Sequence, residues 1–371
     1  MKKQTILLTL AASIAVSSVA GCGASAPSTA ASGSSISAAE AAESSESAGI
    51  ESISQSSAQA AVNGDGAVTV TDQTGREVTL DKPAEKIVSC YYLVTASLIP
   101  LGEKDSLVGI ETKADTRGLY QLAAPELLNL PGVGSGKEIN VEKIASLSPD
   151  VVILPKKQKD AAEKLTSLGI PTVVVNPETY DDFNGMIRLL GDITGKQEKA
   201  DELVSYYDRS VEEIRSLVSG TKERPSVYLC GSDSVLRAAA GGMYQDEMIE
   251  IAGGTPVTKD LPDTKWVDIT AEQLLSYNPE YILNVSYSEF TTDDIRNNTA
   301  LAEVSAVKED RLFTVPSRIE AWDYPQPSSI LGIYWMTSVL HPEILSEDDY
   351  VKKAQEFYKT WFDIDVTRDQ L

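Results

Sequence analysis

Between residues 67 and 371 the apolar residues fall into two alternating patterns. Nearly solid runs, KIVSC (Lys86 to Cys90), LVGI (Leu107 to Ile110), VVIL (Val151 to Leu154) and TVVV (Thr172 to Val175), are too short for helices and predict buried strands. Between them the apolar residues take helical spacing: a run leading to Gly102, a short helix entered at Asn140 and stopped near Pro149, and Asp160 to Leu168, closed by Gly169. The order then returns, with a strand at Ser226 to Cys230, a helix at Asp246 to Ala252 closed by Gly253 and Gly254, a strand at Leu312 to Val315 and a helix at Ser328 to Leu340. Strands that alternate with helices predict an α/β architecture with mostly parallel sheets.

One unit of this pattern is written twice. Ile139 matches Ile269, Glu142 matches Glu272, Ile144 matches Leu274, Pro149 matches Pro279, Asp150 matches Glu280 and Ile153 matches Leu283, each pair 130 positions apart, as from 139 to 269. A repeated helix, Pro-acid turn and strand predicts two similar lobes, residues 67–195 and 221–371. Between them, residues 196–220 place Ala200, Leu203, Val204, Tyr207, Val211, Ile214, Leu217 and Val218 on one helical face. At ~1.5 Å per residue this connector spans ~36 Å, enough to lie across both lobes and to restrict their relative motion.

The amino terminus carries a different signal. Met1-Lys2-Lys3, the apolar run Ile6 to Ala20 and the ending Val19-Ala20-Gly21-Cys22 read as a secretory signal over residues 1–22 with a lipobox, Cys22 being the acylated residue. The run falls short of the ~20 apolar residues a membrane span needs. Residues 23–66 are almost entirely small and polar and predict a flexible linker. The protein is therefore expected on the extracytoplasmic face of the cell membrane, held by lipid.

Charge and reactive residues narrow the function. With 55 acidic against 32 basic residues, a net charge of −23, the chain lacks the basic surface that nucleic acid requires. Beyond Cys22 only Cys90 and Cys230 remain, too few for a disulfide framework. They end the first strand of each lobe, and small buried residues are the plain reading, with a soft-metal or redox pair facing across a cleft as the alternative. A single histidine, His341, reads as a helix cap or surface residue and does not support a metal held by the protein itself. GVGSGK (Gly132 to Lys137) fails as a phosphate loop, because Pro131 stands where glycine is required and Glu138 where Ser or Thr is required. No G-x-S-x-G elbow or second histidine is present for a triad, so no enzyme is expected.

TDQTGREVTLDKPAEKIVS (Thr71 to Ser89), GKEINVEKIASLSPDVVI (Gly136 to Ile153), the connecting helix, AGGT (Ala252 to Thr255), WVDITAEQLLSYNPEYIL (Trp266 to Leu283) and AQEFYKTWF (Ala354 to Phe362) resemble the substrate-binding proteins of ABC importers for ferric siderophores, haem and cobalamin. The resemblance implies two Rossmann-like lobes joined by one long rigid helix, a ligand cleft between them, and a monomer that serves an ABC permease dimer with a cytoplasmic ATPase. It further implies that Glu142 and Glu272, one per lobe, dock on arginines of the two-fold symmetric permease. Without the resemblance the two glutamates would read as solvated residues favourable to a helix N-terminus.

The ligand site is expected where loops leave the carboxyl ends of the strands. This nominates Tyr91, Tyr92 and Arg117 in the first lobe and Arg237, Tyr244, Arg318, Trp322 and Tyr324 in the second. Lys113, Lys156, Lys157, Met243 and Tyr287 occupy similar places with weaker claims. Aromatic rings suit a bulky ligand and arginines an anionic one. Among the cargoes the resemblance implies, the arginines favour a ferric siderophore or other iron chelate, with no resident cofactor. A corrinoid or haem is the alternative in the same class, and a surface chelatase or a receptor without a transporter is the alternative outside it.

Overall fold

The computed structural model describes residues 61–62, 66–135, 138–261 and 265–371, all of them within one compact unit. The signal sequence with Cys22, most of the linker, and Gly136 and Lys137 lie outside the described residues. The linker was expected to run to residue 66, yet β1 (Ala61–Val62) already pairs antiparallel with β2 (Val68–Thr71). A third strand, β3 (Glu77–Leu80), completes this small antiparallel sheet. Asp72 holds the β2–β3 turn: its carboxylate accepts from the Thr74 and Arg76 backbone, from the Arg76 guanidinium at 2.7 Å, and from Val174 N–H at 3.0 Å.

The first lobe is built on β4 (Ile87–Ser89), helix α1 (Tyr92–Leu98), β5 (Leu107–Gly109), α2 (Gly118–Ala123), α3 (Val141–Ser146), β6 (Val151–Pro155), α4 (Lys159–Ser167) and β7 (Thr172–Val175). Its strands run parallel in the order β5-β4-β6-β7. Period-two alternation explains the solid apolar runs. Ile87, Val151, Ile153, Val173 and Val175 face the main core, while Val88, Val152, Leu154 and Val174 face a second cluster under α4 with Ala162 and Leu165.

Helix α5 (Tyr180–Thr194) has no counterpart among the predicted elements. Its signals were a Thr179/Asp182 capping box and Phe183, Met186, Ile187, Leu190 and Ile193 at three- and four-residue spacing, with Gly185 and Gly191 obscuring them. The connecting helix α6 (Gln197–Val218) packs on α5 with Ala200, Leu203, Val204, Tyr207, Val211, Ile214 and Val218 buried; Leu217, expected on that face, is exposed.

The second lobe follows with β8 (Ser226–Cys230), β9 (Arg237–Ala238), α7 (Tyr244–Ile251), β10 (Thr255–Pro256), β11 (Val267–Asp268), α8 (Ala271–Tyr277), β12 (Tyr281–Asn284), α9 (Thr292–Arg296), α10 (Ser305–Lys308), β13 (Leu312–Thr314), α11 (Ser329–Leu340) and α12 (Glu347–Phe362). Strands β10, β8, β12 and β13 are parallel, and β9 and β11 add an antiparallel edge.

Helix α6 is fastened to both lobes. Asp208 accepts from Tyr180 and Asn184 of α5, while the Tyr207 hydroxyl donates to Gln326 O at 2.9 Å and accepts from the Ile330 N–H at the start of α11. One face of α6 is thus buried against both α/β lobes, while the other is exposed. No helix among the described residues is long and apolar enough to cross a membrane.

Candidate ligand-binding site

Chain segments leaving β4, β5, β12 and β13 line a cavity of ≈220 Å³, open on one side to solvent, between the lobes. Lobe one supplies Tyr92 at the start of α1 and residues 116–120 at the start of α2; lobe two supplies Ser286 and Tyr287 after β12 and residues 317–321, Tyr324 and Gln326 after β13. Carboxyl ends of parallel strands supply these loops because the ladder ends there and frees the backbone for irregular paths.

The lobes meet directly beside the cavity. Leu119 N–H donates to Ile319 O at 3.0 Å. A Cβ on Gly118 would stand 2.8 Å from Ile319 O and 2.9 Å from Arg318 O, so a glycine is needed for the two backbones to approach. Aromatic contacts add a second bridge. Tyr92 of lobe one meets Tyr324 of lobe two edge-on at 5.5 Å, and Tyr324 stacks on Tyr287 at 5.1 Å with planes 17° apart.

Two arginines give the walls positive charge. The Arg117 guanidinium lies 4.1 Å from the Tyr92 ring centroid, and its Nε is buried with no hydrogen-bond partner. Arg318 is exposed and its guanidinium donates to Asp369 O near the end of the chain. Three carboxyls oppose them. Glu111 accepts from Thr95 and Tyr120 at 2.7 and 2.8 Å. Glu320 lines the cavity with Oε1 buried and unpartnered, and burial pushes its carboxyl up to about 7 against the lowering effects of Ser328, Arg117 and Tyr358. Asp323 is fully buried; Oδ2 accepts from Tyr287 at 2.7 Å, Oδ1 has no partner, and burial raises the group to about 6. Burial likewise lifts Tyr92 well above the usual phenol range and Tyr324 to about 12.

Of the eight nominated ligand residues, Tyr92, Arg117, Arg318 and Tyr324 line the cavity. Tyr91 stands behind, edge-on to Tyr92 at 5.3 Å. Trp322 does not reach it: the indole is 1% exposed and donates to the Tyr358 hydroxyl at 3.0 Å, because its stretch of loop turns inward onto α12. Tyr244 is buried on α7 with its hydroxyl on Ser329 Oγ at 2.7 Å, part of the α6–α11 joint. Arg237 lies on the antiparallel edge, paired with Asp268 at 2.9 Å. Lys113, Lys156 and Lys157 are exposed outside the cavity, Met243 is buried, and Tyr287 belongs to the wall. Glu320 and Gln326 are wall residues that the nominations missed; a charged and an amide residue inside SRIEAWDYPQP were the available signals.

Glu142 and Glu272 sit exposed in the first turns of α3 and α8. His341 caps α11 but is buried, its Nε2 3.2 Å from Gly253 O. Cys90 and Cys230 are free, buried in separate apolar clusters. Among the described residues no three His, Cys, Asp or Glu side chains gather to hold a metal.

A family profile described as periplasmic binding protein matches residues 87–319. Over 79% of this chain and 90% of its own length, the molybdate-binding protein MolA of Haemophilus influenzae is 24% identical. The ABC transporter substrate-binding lipoprotein YvrC of Bacillus subtilis is 26% identical over 76% of this chain and 87% of its own, and a vitamin B12-binding protein of Vibrio cholerae 23% over 63% and 81%. A periplasmic solute-binding protein of Veillonella parvula superposes with TM-score 0.70 at 27% identity, covering 82% of this chain and 95% of that one. MolA with molybdate bound superposes equally, TM-score 0.70 at 22% identity over 81% and 99%.

Proposed function

The chain belongs to the periplasmic binding protein family, and on that premise we propose that it captures a compact anionic metal species between its lobes and delivers it to an ABC permease. The observation that carries this reading is the buried, unpartnered Nε of Arg117 on the cavity wall, with Arg318 beside the same space. A buried guanidinium N–H without an acceptor is costly until a ligand supplies one, and an anion supplies it with charge. As the lobes stand, the ≈220 Å³ against the arginine walls holds an oxyanion of the molybdate kind, while a corrinoid or haem would extend through the open side.

The ferric chelate expected from the sequence is the second reading. It is favoured by the Tyr92–Tyr324–Tyr287 series, which offers aromatic contact if the lobes part. Delivery uses Glu142 and Glu272 against a two-fold receptor, and Cys22 carries the lipid that keeps the protein at the extracytoplasmic face of the membrane.

Calorimetric titration of the domain from residue 61 onward with molybdate, a catecholate and a hydroxamate ferric siderophore, haem and cobalamin tests the reading. Molybdate or one ferric chelate should bind, with affinity lost in Arg117→Ala. Binding of cobalamin or haem alone would overturn it.

A further inference from the structure

The walls of the cavity carry more acid than an anion would tolerate. Arg117 and Arg318 provide two positive groups, while Glu111, Glu320 and Asp323 provide three carboxyls on or just behind the same surface. Were all three ionised, the site would be net negative and would repel the solute proposed above. The hydrogen bonds divide the three. So do their places: Glu111, held by the Thr95 and Tyr120 hydroxyls, and Asp323, held by the Tyr287 hydroxyl, stand behind the wall, whereas Glu320, with the Ser328 and Tyr358 hydroxyls beside it, is part of it. Glu320 alone both lines the cavity and keeps a buried oxygen without a partner.

Resting on the anion reading, we propose that Glu320 binds the solute as a neutral acid, its O–H donating to an oxygen of the anion, so that solute and one proton are taken up together and loss of that proton expels the solute. The groups around Glu320 fit this role. Arg117 approaches from the start of α2, Ser328 from the start of α11 and the Tyr358 hydroxyl from α12, while Arg318 and Asp323 flank it in its own segment. One guanidinium beside an enclosed carboxyl does not outweigh its desolvation, and the group is raised to about 7. A carboxyl of this kind also selects. It accepts an anion whose oxygens are free to receive a hydrogen bond and rejects the same anion once ionised, which an arginine cannot do.

Molybdate titrations from pH 6 to 8.5, run in buffers of different ionisation enthalpy, test the proposal. In the parent protein affinity should fall about tenfold per pH unit above ~7, with close to one proton taken up per molybdate at pH 8. Glu320→Gln, which keeps a donor but cannot ionise, should bind molybdate with a flat profile and no proton uptake. Asp246→Asn serves as control: that carboxyl is also buried and raised to about 7, but it lies on α7 away from the cavity, and its loss should leave the slope in place. The same slope and proton uptake in Glu320→Gln as in the parent would overturn the proposal while leaving the anion reading intact. Absence of molybdate binding by the parent across the whole range would instead remove the oxyanion reading, and this proposal with it.

Discussion

Residues 141–149 and 271–279 duplicate one burial pattern with Glu, Ser and Pro at matching places, whereas the loops that meet in the cleft differ between the lobes. The two short helices repeat the same succession of exposed and buried residues through all nine positions. Both end on a left-handed residue before proline, Ser148 at φ 48° and Asn278 at φ 44°. The acid after that proline ties back to the first strand in both lobes: Asp150 accepts from the Glu85 and Lys86 N–H groups, and Glu280 from Ser226. Those acids are used inside their own lobe. Glu142 and Glu272 face solvent, and the duplication preserves them on the surface, where a two-fold receptor would read both alike. The cleft has no such symmetry to satisfy. Lobe one brings an arginine laid on a tyrosine, lobe two a loop that runs from Arg318 through Glu320 to Tyr324.

Breaking the duplicated half should have the largest effect. With both Glu142 and Glu272 changed to alanine, uptake by cells should drop on the order of 100-fold while solute affinity measured in solution holds, since complementary charge governs encounter and register. Equal uptake by the double variant would remove docking from these helices. The unique half is probed through its arginines. Arg117→Ala should weaken the solute by about 100-fold, near 3 kcal/mol, because a buried charge-assisted bond is lost. Arg318→Ala should cost about tenfold or less, its guanidinium being exposed and already occupied by Asp369 O. A reversed order would mean that the solute sits at the rim rather than against Arg117.

The same contrast decides what could be read from the sequence. Period and repeat are local properties, so β4, β6, β7, β8, α3, α8 and α6 were legible from spacing alone. The antiparallel β1–β3 sheet was missed although its β2–β3 turn is local, Asp72 accepting from the Thr74 and Arg76 N–H groups around Gly75, because strands of two to four residues are too short for a period to stand out. In the site, loop position led to Tyr92, Arg117, Arg318 and Tyr324, which line the cavity. It misplaced Trp322 because direction within a loop is set by what packs beneath it, here Tyr358 of α12, and no periodicity encodes that. Glu320 was overlooked for the converse reason: a lone acid in a loop reads as solvated until burial is known.

Between these halves lies the seam, where a tenfold effect is expected. Gly118→Val would push a side chain into Ile319 O and Arg318 O, forcing the lobes apart or the 318–319 segment aside. Overpacking of this kind costs ~1–3 kcal/mol, and here it should appear as weaker solute binding with little change in melting temperature. Solution scattering on the ligand-free variant should show a larger radius of gyration. A lower melting temperature with affinity retained would place Gly118 in the frame rather than in closure.

The smallest effect separates the lobes by pH. Asp72 in lobe one is buried, but its bonds from Thr74, Arg76 and Val174 outweigh burial and hold it below the ordinary carboxylate value. Its folded form binds protons less readily than its unfolded form, so it adds stability above the unfolded value, lost as pH falls through the folded one. Asp246 in lobe two is the opposite. Burial first, then the charges of Glu250 and Glu247, push it up to about 7, and its Oδ1 has no partner. Its folded form holds a proton longer, so its contribution is greatest below the unfolded value of 3.8 and is lost as pH rises through about 7. Melting curves of the ligand-free protein from pH 4 to 8 should therefore diverge from those of Asp246→Asn as pH rises. The variant should gain on the order of 2 kcal/mol by pH 8 relative to its standing at pH 4, a shift of a few degrees. Asp72→Asn should be destabilised most at neutral pH and converge on the parent in acid. Parallel profiles for Asp246→Asn and the parent would mean that Asp246 is ionised and solvated in the folded state.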